Sequence, residues 1–98
     1  LLTSSNPSYR VGGLGSGLEY EAKKLEARMS ECEEAFRKLK SKAEECSRAL
    51  RELESGSIGP EELLSKLSEF LEAISEFEHE FSHLHSSAAS ILAKLKMV

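Results

Sequence analysis

The sequence LESGSIGPEEL, residues 53–63, interrupts a pattern of apolar residues that otherwise runs through most of the chain. Gly56 suits the left-handed position that follows the last turn of a helix, and Pro60 suits the first turn of the next helix. Glu61 and Glu62 come directly after that proline, where negative charge favours a helix N-terminus. These residues predict that one helix ends and another begins in the middle of the chain.

Apolar residues on both sides of this turn recur at alternating spacings of four and three. A mean spacing of about 3.5 residues is typical of coiled coils. The pattern predicts an all-α fold, an antiparallel two-helix coiled-coil hairpin over 18–97, with helices at 18–54 and 60–96 and a turn at 55–59. In heptad lettering, a lies four residues after each d, and d comprises Leu18, Leu25, Cys32, Leu39, Cys46 and Leu53, then Leu63, Phe70, Phe77, Leu84 and Ile91.

Folding the chain at the middle of the turn predicts which residues face each other. Phe36 then faces Phe77, and Cys32 faces Phe81. Small residues meet large ones in several layers, as a filled core requires. We therefore expect the a and d positions of both helices to form the core of the hairpin.

The second helix carries more apolar surface than one neighbouring helix covers. Leu64, Leu71 and Leu92 each follow a d position and widen its apolar strip. We expect a helical bundle to be completed by self-association into a dimer, or by a partner helix or peptide. The expected protein-binding residues in this helix are Leu64, Phe70, Leu71, Ile74, Phe77, Phe81, His85 and Leu92.

Residues 1–17 differ from the rest in being rich in Ser, Asn, Pro and Gly. This composition predicts a flexible lead-in, with a helix that starts behind an N-cap at Ser16. Two interpretations stay open. The segment is either a linker, or residues 1–11 are a peptide tethered through the Gly/Ser stretch to the domain that binds it.

A short motif lies within the lead-in. The residues Asn6-Pro7-Ser8-Tyr9 fit the pattern Asn-Pro-x-Tyr. This pattern resembles the turn-forming tail peptides that phosphotyrosine-binding-type domains recognise. The resemblance makes Tyr9 a further candidate protein-binding residue, and an ordinary Asn-Pro turn is the alternative.

The composition argues against several classes of partner. The formal net charge of −4 disfavours binding to nucleic acid or to an anionic membrane, and no apolar run is long enough to span a bilayer. Cys32 and Cys46 lie fourteen residues apart in one predicted helix, too far to bridge. Unbridged cysteines on an apolar strip favour an intracellular setting, cytoplasmic or nuclear.

One string resembles a catalytic motif. His79-Glu80-Phe81-Ser82-His83 matches the His-Glu-x-x-His pattern of zinc metalloproteases. The longer form of that motif needs Gly and His where Ser86 and Ala89 stand, and no acidic residue follows Glu80. We therefore expect no catalytic or metal site, with incidental metal contact through Glu76, His79 and His83 as the alternative.

These features predict a non-enzymatic protein–protein interaction module without a cofactor, a scaffold, adaptor or oligomerisation domain. Its wide apolar second helix is expected to bind another helix or a second copy. The alternative is a helical hairpin that captures an extended peptide, such as residues 1–11, between its helices.

Overall fold

The computed structural model of the chain describes the backbone of residues 12–97 and the side chains of residues 17–97. This part contains two antiparallel helices, α1 (Gly12–Glu54) and α2 (Pro60–Lys96), joined by a short turn. Its dimensions, 76 × 18 × 14 Å, are those of two long helices lying side by side. The predicted all-α hairpin is confirmed.

The end of α1 is closed by backbone hydrogen bonds. The Gly56 amide donates to the Leu53 carbonyl at 3.0 Å, and the Ser57 amide donates to the Glu52 carbonyl at 2.7 Å. This Schellman arrangement needs a left-handed residue after the helix, and Gly56 supplies it with a φ of 84°. Gly59 is extended because the residue before a proline is disfavoured in the helical conformation, and α2 starts at that proline.

The start of α1 differs from the prediction. The helix begins at Gly12 rather than at residue 18, so Ser16 is an internal helical residue and not the N-cap. Each residue added to an existing helix gains a hydrogen bond, whereas a helical glycine costs only about 1 kcal/mol relative to alanine. A glycine-rich stretch therefore weakens a helix end without dictating where it stops.

The pairing of the two helices agrees with the prediction. The ring centroids of Phe36 and Phe77 lie 5.8 Å apart across the hairpin. On the turn side of this contact, the Cys46 thiol donates to the carbonyl of Lys66 at 3.2 Å. Both contacts fit a chain that folds back on itself at Gly56.

The residues at the centre of the interface are not those predicted. The a and d positions were expected to form the core, but a side chains such as Met29, Phe36 and Phe81 are about half exposed. The interface instead uses d together with g, the position three residues after d. Its buried residues are Glu21, Cys32, Ala35, Cys46 and Ala49 in α1 and Leu63, Ala73 and Ser87 in α2.

Small side chains explain this rotation of the helices. Ala35, Ala49 and Ala73 at g allow the two backbones to approach, which brings d and g together between them. One neighbouring helix covers only part of a wide apolar strip. The a positions are consequently turned toward one side of the hairpin.

Candidate protein-binding surface

One side of the hairpin is strongly apolar. Nine of the eleven large hydrophobic residues that are exposed in the described part of the chain occupy a or e positions, where e directly follows d. We call this set the apolar face: Met29, Phe36, Leu50, Leu64, Leu67, Leu71, Phe81, Leu92 and Leu95.

Helical geometry explains why both helices contribute to the same side. With d and g pointing at the neighbouring helix, the a position lies about 90° around the helix axis, and e lies beyond it. Reversing the direction of the second helix places its a positions on the same side as those of the first. The hairpin therefore presents a surface two helices wide.

The opposite side of the hairpin is charged. Lys38 lies 3.2 Å from Glu76, and Lys42 lies 3.0 Å from Glu69. A third pair joins Lys66 to Glu45 at 3.3 Å. We call these six residues the ion-paired face: Lys38, Lys42, Glu45, Lys66, Glu69 and Glu76. Because exposed ion pairs contribute little stability, their main effect is to favour this pairing of the helices over others.

Ion pairing changes the charge equilibria of some of these groups. The Lys42 ammonium donates to Glu69, which lowers the pKa of that carboxyl below 4.5. The same hydrogen bond, with the charges of Glu45 and Glu69, raises the pKa of Lys42 above 10.5. The hydrogen bond between Lys42 and Glu69 joins the two helices, whereas Glu45 acts on Lys42 from the same helix.

A more buried ion pair lies at the end of the hairpin away from the turn. The Lys94 ammonium donates to Glu21, whose side chain is almost completely buried. This hydrogen bond holds the pKa of Glu21 below 4.5, with burial acting in the opposite direction. The second carboxylate oxygen, Oε1, has no hydrogen-bond partner among the described residues.

The predicted binding residues fall into two groups. Leu64, Leu71, Phe81 and Leu92 lie on the apolar face, with 62%, 62%, 51% and 55% of their surface exposed. His85, at an e position, is also exposed. The other predicted residues of α2 are half-buried: Phe70, Ile74 and Phe77. Tyr9 lies outside the described residues.

Sequence reasoning missed half of this surface. Met29, Phe36 and Leu50 of α1, like Leu67 and Leu95 of α2, were assigned to the core of the hairpin. The sequence feature that could have identified these residues as exposed is the alanine at g on both helices. Small residues at g let the helices approach on the side of d and g, which leaves the a residues outside the interface.

An aromatic cluster lies near the middle of the apolar face. Phe77 contacts Phe36 at 5.8 Å and Phe81 at 6.0 Å between ring centroids. Beside it is a shallow groove lined by Met29, Cys32, Glu33, Phe36, Arg37 and Phe77. Partly exposed aromatic rings in a shallow groove suit apolar side chains from another molecule.

The two histidines of the His-Glu-x-x-His string lie away from the apolar face, although Phe81 between them belongs to it. The rings of His79 and His83 are 4.2 Å apart, and Nδ1 of His83 lies 3.9 Å from Glu80. Glu76, the third group of the alternative metal site, accepts hydrogen bonds from Lys38. Within residues 12–97, no group of three or more metal-ligating side chains is placed to hold an ion.

Neither helix of the described chain combines the length and apolar character needed to cross a bilayer. Comparison of the chain with protein-family models, with curated proteins and with solved structures finds no match.

Proposed function

We propose that this chain is a non-enzymatic protein–protein interaction module that binds helices of another chain through the apolar face. The observation that carries this proposal is the alignment of nine half-exposed large apolar side chains on one side of a two-helix hairpin. Such contiguous apolar surface is uncommon on monomeric proteins and marks interaction sites.

The burial energy available at this face is of the size that association requires. Complete burial of a large apolar side chain contributes about 1.5 to 3 kcal/mol. Nine half-exposed side chains therefore offer roughly 7 to 13 kcal/mol before the cost of association. That range is comparable to the roughly 4 to 15 kcal/mol that association costs, and burial of the partner's own apolar surface adds to it.

The shape of the face favours helices as its ligand. Two rows of a residues run along the hairpin with the e leucines of α2 beside them, and such rows of side chains form ridges with grooves between them. Helices pack into such grooves, and two more helices would complete a four-helix bundle. A scaffold, adaptor or oligomerisation role follows from this mode of binding.

The charged groups support a structural role for the rest of the molecule. Each group with a shifted pKa is held in an ion pair between the helices: Glu21, Lys42 and Glu69. We also propose an intracellular setting for the chain. Its two cysteines, Cys32 and Cys46, are buried free thiols, which fits a reducing compartment.

A pair of matched substitutions tests the proposal. Leu71→Glu places a charge on the apolar face, and Ser65→Glu places the same charge on the outer side of α2. Sedimentation velocity would follow each full chain alone and with a synthetic leucine-rich amphipathic helical peptide. We expect association with itself or the peptide, abolished by Leu71→Glu and retained by Ser65→Glu.

Two results would overturn the proposal. One is a wild-type chain that stays monomeric and does not bind the peptide. The other is association that survives Leu71→Glu while circular dichroism shows an intact hairpin.

A further inference from the structure

We infer that the partner at the apolar face is a second copy of this chain, related by a two-fold axis perpendicular to the helices that passes beside Glu78. This inference rests on the proposed function and deepens it by naming the partner. In the resulting four-helix bundle, α2 packs antiparallel against α2 of the second copy, and α1 against α1.

The pattern of leucines along α2 is symmetric about that point. Glu78 is the middle residue of α2, which runs from Pro60 to Lys96. Leu64 and Leu92 lie fourteen residues before and after it. A two-fold axis at Glu78 therefore places Leu64 of one copy on Leu92 of the other, twice. Leu71 meets His85 of the second copy in the same way, since both lie seven residues from Glu78.

Two charged residues near the middle of α1 fit the same axis. Glu33 and Lys40 occupy e positions on either side of Phe36, which contacts Phe77 at the middle of the hairpin. Antiparallel packing of α1 on α1 brings Glu33 of one copy toward Lys40 of the other, again twice. Like charges meet at two places: Glu78 of one copy meets Glu78 of the other at the axis, and Glu19 meets Glu54 near the ends of the bundle.

A two-fold axis parallel to the helices fits less well. In that arrangement α1 of one copy packs over α2 of the other. The exposed e leucines of α2 in one copy then contact the e residues of α1 in the other copy. Five of these six α1 residues are charged. Burial of charge against leucine is unfavourable without a partner. The α1 residues concerned are Glu19, Glu26, Glu33, Lys40, Ser47 and Glu54.

The area of the apolar face meets the requirement of a stable dimer. Half-exposed side chains of this size offer roughly 100 Å² each, so the nine residues offer roughly 900 Å² per copy. Specific interfaces bury about 800 Å² per partner. The face is large enough for a symmetric pair and needs no additional segment.

Charge exchange in the full chain tests the orientation. Sedimentation equilibrium of the wild type should give twice the monomer mass of 10.8 kDa. Glu33→Lys alone and Lys40→Glu alone should each weaken the dimer by about fivefold, because two like-charge pairs replace two ion pairs. The double substitution Glu33→Lys/Lys40→Glu should restore the wild-type dissociation constant.

Cross-linking gives an independent readout. In a Cys32→Ala/Cys46→Ala background, Glu78→Cys should form a disulfide between the two copies under mild oxidation. His79→Cys, one residue further along and on the outer side of α2, should not. Circular dichroism confirms that each variant keeps the hairpin.

Defined outcomes overturn the inference. A monomer, trimer or tetramer would exclude the symmetric pair, as would a double substitution that fails to restore binding or a cross-link at residue 79 alone. If the chain is monomeric but binds the amphipathic peptide in a Leu71-dependent manner, the second copy is excluded and the proposed function stands. If it binds neither, both fail.

Discussion

The ring of Phe36 packs against the ring of Phe77 at 5.8 Å, yet about half of the Phe36 surface stays exposed. One side chain thus serves two surfaces, the contact between the helices and the apolar face. The hairpin holds together mainly through its d and g residues, while most of its large a residues remain exposed to another molecule.

Phe77 should matter more than Phe81 for the hairpin itself, because it contacts aromatic rings on both helices. We expect Phe77→Ala to lower the free energy of unfolding by about 2 to 3 kcal/mol, and Phe81→Ala by about 1 kcal/mol. Urea unfolding of dilute protein, followed by circular dichroism, measures both. Equal losses would contradict the assignment of Phe81 to the apolar face.

A larger residue at g should force the helices apart. Ala35 is buried between them, so we expect Ala35→Leu to cost about 1 to 3 kcal/mol of unfolding free energy. Ala27→Leu adds the same volume at an exposed position of α1 and should have almost no effect. Thermal unfolding compares the two variants. If Ala35→Leu is as stable as Ala27→Leu, the helices do not pack through their g residues.

Two glycines should respond to alanine with opposite signs. Gly56 has a φ of 84°, which strains any other residue, so Gly56→Ala should destabilise the hairpin by about 1 to 2 kcal/mol. Gly17 is helical and has open space around it, so Gly17→Ala should stabilise α1 by up to about 1 kcal/mol. Denaturant midpoints of the two variants check the prediction, which fails if both change in the same direction.

Stability should fall in acid because of Glu21 and Glu69. The pKa of each carboxyl is lowered in the folded chain by its lysine. Their contribution is therefore present above the ordinary value of 4.5 and is lost as the pH falls through the lowered pKa. Lys42, whose pKa is raised, contributes below its ordinary value of 10.5 and loses this contribution as the pH rises through the higher value.

Lys94→Gln tests the predicted loss of stability at low pH. It removes the partner of Glu21, so the loss of stability between pH 6 and pH 3 should become smaller. Lys96→Gln removes the same charge two residues away and should leave the curve unchanged. Urea midpoints measured across that range decide between them. If stability depends on pH in the same way in both variants, the Glu21–Lys94 pair does not contribute to unfolding in acid.

Much of the hairpin was predictable because its signals are local. Gly56 is favoured after the last turn of a helix, and Pro60 is favoured in the first turn of the next one. The pairing of Phe36 with Phe77 followed from the position of the turn. The start of α1 was less predictable, since the helical cost of glycine is small enough for Gly12 to join the helix.

The candidate surface was predictable in part. Leu64, Leu71 and Leu92 exceeded what one neighbour covers, and the structure places all three in solvent. Phe36 and Met29 were assigned to the core because a heptad pattern records which residues are apolar and not the direction from which the neighbour approaches.

The order of residues along the chain was therefore sufficient to establish two helices, the turn between them and their relative alignment, because each depends on backbone preference or on periodicity within one segment. The rotation of each helix about its axis was decided by tertiary structure. It depends on how closely two backbones approach at Ala35, Ala49 and Ala73, a property of both helices together. That rotation separates the side chains that hold the hairpin from those left for a partner.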